Sequence, residues 1–186
     1  MYMQTEKTPN PSALKFIPGP KIVETPIDFP SMETARMSPI ALRLFSVAGV
    51  TSVFLSHDFI TVTKAEDISW DEIQPTLSAY ILAHLAAGKP ILSDTAPFEN
   101  SAEPSLESDD AVTKDIKDII DTRVRPAVAR DGGDIVFEKF DAGVVYLRLK
   151  GACSGCPSST ITLKSGIENM LRYYVPEVKE VRAADE

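Results

Sequence analysis

The sequence predicts an α+β protein built as two small α+β domains joined by an acidic flexible linker. Three observations carry that prediction. Strand-like alternation and helix-like spacing occur together in both halves of the chain. Residues 94–110 break the pattern with six acidic side chains, no Lys or Arg, two prolines and three serines. At 186 residues with 44% apolar content, the chain is long enough for one medium domain or two small ones with packed cores. The expected boundaries are 1–93 for the N-terminal domain, 94–110 for the linker and 111–186 for the C-terminal domain.

In the first domain, Leu14-Lys15-Phe16-Ile17 and Lys21-Ile22-Val23 flank Pro18-Gly19-Pro20, which predicts two short strands around a turn. Ser38-Pro39 opens a short helix, with Ser38 as N-cap and Pro39 at the first helical position. Ile40, Leu44 and Val47 then fall on one face. Ser52–Leu55 and Phe59–Thr63 are β-rich runs joined through His57-Asp58, a hairpin pattern. The spacing of Ile73, Leu77, Tyr80, Ile81, His84 and Leu85 predicts a helix from Trp70 to Ala87, capped by Ser69 and ended by Gly88.

As a coil, the 17 residues of 94–110 would span about 20–25 Å. Beyond them, Val112, Ile116, Ile119, Ile120, Val124 and Val128 predict an amphipathic helix whose last turn is bent or shortened by Pro126. Asp131-Gly132-Gly133-Asp134 reads as a turn needing positive φ at its glycines. Strands are expected over Ile135–Phe140 and Val144–Lys150, connected by Asp141-Ala142-Gly143. A final helix runs from Ser158 to Tyr174, with Leu163, Ile167, Met170, Leu171 and Tyr174 on its apolar face. A short strand over Val178–Val181 would complete an α-β-β-α(β) domain.

The formal charge of −8 argues against a nucleic-acid partner, because binding a phosphate backbone needs a basic surface. Six of those negative charges lie in 94–110, whereas 111–182 carries +2 from twelve basic and ten acidic side chains. No apolar run is long enough to cross a bilayer, and the start of the chain has no secretory pattern. With two cysteines in the whole chain, a disulfide scaffold is not expected; a reducing compartment is, either the bacterial cytoplasm or, for a processed organellar form, the mitochondrial matrix.

Both cysteines sit in Gly151-Ala152-Cys153-Ser154-Gly155-Cys156-Pro157-Ser158-Ser159, between a strand and a helix. Pro157 suits the first turn of that helix, whose free N–H groups and positive dipole end then lie near the sulfurs and favour thiolate over thiol. Three chemistries use such a pair: thiol–disulfide exchange, half of a tetrahedral zinc site, and iron–sulfur ligation. Two buried thiols packed as small hydrophobes are the fourth reading, against which the C-x-x-C spacing in a Gly-rich loop argues. A metal or cluster wants four ligands where this chain has two thiolates, with His57 and His84 in the other domain. Symmetry would supply the rest: two copies, each giving one C-x-x-C, sharing one centre at the surface between them. Gly151 and Gly155 would let backbone N–H groups approach sulfur, and Arg148, Lys150 and Lys164 would offset a cluster's negative charge or simply form a solvated face. Ser158 and Ser159 read as helix-start residues, since no base lies nearby in sequence.

At these residues the sequence resembles the NifU-like (Nfu-type) iron–sulfur cluster scaffold and carrier family. In the C-terminal half, "RPAVARDGGDI", "LKGACSGCPSSTITLKSGIENML" and "VPEVKEV" look like that family's cysteine-bearing domain. In the N-terminal half, "QTEKTPNPSALKF", "SPIALRLFSVAGVTSVF" and "DFITVTK" look like the companion domain of its two-domain members. The resemblance implies that Cys153 and Cys156 are cluster ligands and that a homodimer bridges a [4Fe–4S] cluster, with a [2Fe–2S] form left open. It further implies a carrier that is not an enzyme. Its partners would be apo iron–sulfur acceptor proteins and upstream cluster-assembly proteins, with neither nucleic acid nor membrane among them. The N-terminal domain, which has no cysteine, would modulate or recruit partners.

Overall fold

The computed structural model describes residues 3–93, 111–154 and 157–184; for 157–162 it describes the backbone alone. Helices and strands are mixed in both halves, and the chain divides into two units, Met1–Pro97 and Phe98–Glu186. The expected linker, 94–110, lies outside the described residues.

The N-terminal unit is a five-stranded sheet of β1 (Gln4–Lys7), β2 (Ala13–Ile17), β3 (Ile27–Phe29), β4 (Val50–Leu55) and β5 (Ile60–Lys64). Its spatial order is β1-β2-β5-β4-β3, and every neighbouring pair is antiparallel. The predicted hairpin through His57-Asp58 is the β4–β5 pair. The strand expected at Lys21-Ile22-Val23 does not form. Both edges of β2, the strand it would pair with across the turn, are taken by β1 and β5. The segment runs instead as irregular chain with Ile22 and Val23 buried, tied to the hairpin by the Ile22 N–H donating to the His57 carbonyl at 2.7 Å.

Two helices, α1 (Pro39–Phe45) and α2 (Trp70–Ala86), complete this unit's core. Ser38 caps α1 as its sequence predicts, accepting from the Ala41 N–H at 3.3 Å, and its hydroxyl also donates to the Ile91 carbonyl at 2.6 Å. Ser69 caps α2, and Gly88 with φ +59 follows its end. The apolar stripe of α2, chiefly Ile73, Leu77 and Ile81, packs in one cluster with Leu14, Phe16, Val53, Ile60 and Val62 of the sheet.

The first described helix of the C-terminal unit is α3 (Ala111–Ile119), and the helical path continues beyond it past Pro126. The chain widens into a π-helical turn over Ile120–Val124 and resumes as α4 (Arg125–Arg130). Pro126 thus falls in the first turn of a new helical segment, where its missing N–H leaves no bond unmade. The hairpin of β6 (Gly133–Asp141) and β7 (Val144–Gly151) follows. Its two-residue connection, Ala142-Gly143, has φ of +50 and +90, as a primed turn requires. A bulge at Glu138 shifts the register between Phe137 and Lys139.

Then α5 (Pro157–Tyr174) crosses over to β8 (Glu180–Ala183), which lies parallel to β7 in a β6-β7-β8 sheet. The short third strand is therefore present, two residues later than its sequence predicts. Ile116, Ile120, Val124, Val128, Ile167 and Leu171 of the helices pack in one cluster with Ile135, Val145, Leu147 and Val181 of the sheet. Tyr174 leaves the expected apolar face: it is 44% exposed, edge-on to Tyr173, with the Arg123 guanidinium 4.6 Å from its ring centre. Val175, beyond the helix end, takes the buried place.

Trp70 is the chain's one tryptophan and lies in the N-terminal unit, so its fluorescence reports that unit alone. Leu77 and Leu171 are fully buried in separate cores. Leu77→Ala is expected to cost about 2–5 kcal/mol and lower the denaturant midpoint of the Trp70 signal. Leu171→Ala, at similar cost, should leave that signal's midpoint in place while lowering the far-UV circular dichroism transition.

Candidate functional site

The strand β7 ends where Gly151 adopts φ +65, a left-handed conformation that turns the chain out of the ladder. The loop that follows is fastened to the turn before β6. The Ala152 N–H donates to the Gly132 carbonyl at 3.2 Å, and the Ser154 N–H closes back on the Gly151 carbonyl at 3.0 Å. Helix α5 then opens at Pro157, the first-turn position the sequence predicts for it. Cys153 therefore stands on a strand-to-helix loop, as expected. Gly155 and Cys156 lie outside the described residues, as do the side chains of Ser158 and Ser159.

Cys153 is 6% exposed and belongs to the apolar core of its unit. A centre shared between two copies is expected at the surface; in this chain the first thiol is buried. The room it occupies exists because of one residue. A Cβ at Gly133 would stand 2.6 Å from Cys153 Sγ, 3.2 Å from Cys153 Cβ and 2.8 Å from the Lys150 carbonyl oxygen. Real Cβ atoms essentially never stand so close, so any larger residue at the start of β6 would force the thiol or the Lys150 carbonyl to shift. The two glycines of Asp131-Gly132-Gly133-Asp134 thus serve different needs. Gly132 has φ +81 and supplies the turn, as expected; Gly133 supplies space, a role its φ does not explain.

That turn is held from the other side by an ion pair. Arg125, the first residue of α4, meets Asp134 with both prongs: Nε donates to Oδ1 at 2.9 Å and Nη2 to Oδ2 at 2.9 Å. Its Nη1 donates to Asp121 Oδ1 at 3.2 Å, one helical turn earlier. Hydrogen bonding to Asp134 above all holds the Arg125 guanidinium firmly in its charged form, its pKa raised from the ordinary value, with burial opposing. The Asp134 side chain is 11% exposed and that of Arg125 39%, so the forked bond is only partly screened by water. Sequence spacing does not reveal this pair: Asp121 stands at i,i+4 from Arg125, but the partner that matters, Asp134, is reached only once α4 folds back on β6.

The expected cations have mixed surroundings. Arg148 lies 3.1 Å from Glu138, so a carboxylate already balances much of its charge. Lys150 stands opposite Asp134 in the β6–β7 register, next to the Gly133–Gly151 pair. Lys164 borders a small apolar cavity with Leu147, Leu149, Ile167, Arg182 and Ala183. The histidines are structural. His84, 2% exposed, has Nε2 3.0 Å from the Pro90 carbonyl, and His57 Nδ1 is 3.2 Å from the Val23 carbonyl. Among the described residues no group of three or more His, Cys, Asp or Glu is placed to hold a metal ion. None of the described helices is long and apolar enough to cross a membrane.

The chain is thus two α+β units, the second carrying Cys153 on a loop between an antiparallel hairpin and a helix. Residues 116–182 match the NifU-like domain family, and residues 3–88 match the family described as scaffold protein Nfu/NifU N terminal. The human "NFU1 iron-sulfur cluster scaffold homolog, mitochondrial" is 48% identical over 183 residues, 97% of this chain and 71% of the human one. The protein of that name from Drosophila sechellia is also 48% identical over 97% of this chain, which spans 64% of the fly protein. A solution structure of a NifU-like protein from Saccharomyces cerevisiae aligns with a TM-score of 0.46 and 25% identity over 50% of this chain and 86% of that one. The chain belongs to the Nfu/NifU family of iron–sulfur cluster scaffold proteins.

Two glycines make opposite predictions. Gly133→Ala is expected to destabilise the C-terminal unit by about 1–3 kcal/mol through overpacking against Cys153 and the Lys150 carbonyl. Gly166→Ala, in the middle of α5 with open space where its Cβ would stand, is expected to stabilise by about 0.5–1 kcal/mol. Denaturant titration followed by circular dichroism reads both signs.

Proposed function

We propose that this protein is an iron–sulfur cluster scaffold and carrier and not an enzyme. Cys153 and Cys156 are its ligands, and two chains share one [4Fe–4S] cluster that is then passed to apo-proteins. The cluster is cargo. The observation that carries the reading is the ligand count: the chain has two thiolates, at C-x-x-C spacing, where a cluster usually takes four. Each described histidine has its ring nitrogen engaged by a backbone carbonyl in the other unit, which leaves a second copy as the simplest source of the missing pair.

The donor set fits the group. Thiolates are the ligands that iron–sulfur clusters take. Gly133 sets no side chain of its own against Cys153 Sγ, and Gly151 brings bare backbone to the same loop. A centre held between two identical chains is enclosed by neither. It can leave by stepwise thiolate exchange with an acceptor's cysteines, each iron keeping four ligands as one sulfur replaces another. Thiol–disulfide exchange is the poorer reading. The C-x-x-C loop follows an antiparallel hairpin, not the βαβ unit that places an oxidoreductase pair. Named as mitochondrial, the two animal relatives support the organellar of the two compartments expected from the sequence.

Anaerobic reconstitution with iron and sulfide is expected to give a brown dimer with about four iron per two chains, where the metal-free protein sediments as a monomer. Cys153→Ser or Cys156→Ser should each abolish the colour and the dimer together. A holo-protein that stays monomeric, or one that keeps its metal without the thiols, would sink the reading.

A further inference from the structure

We infer that Arg125 and Asp134 are positioning residues for Cys153: their forked ion pair clamps the Gly132-Gly133 turn against the cysteine loop and fixes where the thiol stands. The inference deepens the proposed function and rests on Cys153 being a cluster ligand.

The linkage runs through four contacts. Asp121, on the π-helical turn, receives Nη1 of Arg125 at 3.2 Å and orients the guanidinium. Nε and Nη2 of Arg125 grip both oxygens of Asp134 at 2.9 Å each. The bonded residues bracket the turn: Arg125 starts the helix before it, and Asp134 is the second residue of the strand after it. With its ends so held, the turn presents two surfaces to the cysteine loop. The Gly132 carbonyl accepts from the Ala152 N–H at 3.2 Å, and Gly133 backs directly onto Cys153 Sγ. A shift of the turn by a few tenths of an ångström is therefore felt at the sulfur, because close-packed atoms do not absorb it.

Two consequences follow for a carrier. In the metal-free chain the clamp keeps Cys153 buried at 6% exposure, out of reach of oxidants and stray electrophiles while the protein waits for cargo. In the loaded protein it fixes one ligand of a centre that must be held and then surrendered. Lability would then be set partly by how rigidly the turn supports that sulfur. Because Arg125 and Asp134 lie in the same chain as the thiol, the device works in each copy separately.

The test uses the full chain with Cys156→Ser, so that Cys153 is its one thiol. Its rate of alkylation by iodoacetamide is followed across low denaturant, where local opening gives a flat dependence and global unfolding a steep one. Asp134→Asn and Arg125→Gln are each expected to raise the flat, native-state rate about tenfold or more. Arg125→Lys keeps the charge but loses the fork, and should fall between parent and Arg125→Gln. If Asp134→Asn and Arg125→Gln fail to fold, as circular dichroism would reveal, Arg125→Lys alone decides. An unchanged rate in a folded variant, or one that rises only along the global unfolding slope, overturns the inference.

A second readout returns to the chain with both cysteines. After reconstitution, Asp134→Asn should take up iron and sulfide like the parent but lose the cluster's visible absorption to a chelator severalfold faster; equal loss rates would also overturn it. If the parent itself takes up no cluster, the proposed function fails while the alkylation result stands on its own.

Discussion

The C-terminal unit is organised around the contact between a backbone and a sulfur. Gly133 lies so close to Cys153 Sγ that no Cβ fits between them, and the hairpin, the helix before it and the loop after it all converge on that point. The β6–β7 ladder begins at the Gly133–Gly151 pair, so the same two residues that start and finish the hairpin also frame the thiol. The hairpin thus does more than supply strands. It brings a turn 20 residues earlier in the chain underneath the cysteine loop, and the rest of the unit packs to keep it there.

The helix before β6 shows how a local defect serves that arrangement. A regular α-helix would meet Pro126 with a missing N–H and a ring clash. The π-helical turn at Ile120–Val124 comes directly before the new segment, and π-turns of this kind are often found at functional sites. Here it sets Arg125 at the start of the new segment, within reach of Asp121 on one side and Asp134 on the other. Ile116, Ile120, Val124 and Val128 remain buried across the change of pitch, so the apolar stripe is continuous where the hydrogen bonding is not.

The N-terminal unit shows a different constraint, competition for a strand's two sides. Once β1 and β5 flank β2, the segment at Lys21-Ile22-Val23 can bury its apolar side chains but cannot pair with β2 across the turn. Its composition says strand, and the neighbour that the turn offers it is already paired on both sides. The two histidines belong to the same economy of satisfied polar groups. Each ring is held by a backbone carbonyl, one of them almost wholly buried, and both are remote in sequence from the cysteine chemistry.

The sequence by itself determined the α+β class, the caps Ser38 and Ser69, the hairpin at His57-Asp58, the strand-to-helix setting of Cys153 and the family resemblance. All of these are written in short-range patterns: side-chain periodicity, the φ demands of Gly and Pro, and the spacing of two thiols. The tertiary structure decided what depends on residues far apart in sequence or on competition between elements. It gave Gly133 its spatial role, buried Cys153, joined Arg125 to Asp134, moved Tyr174 off the core and denied Ile22 and Val23 a strand. Steric exclusion and hydrogen-bond pairing act between neighbours in space, and periodicity along the chain does not specify which neighbours those are.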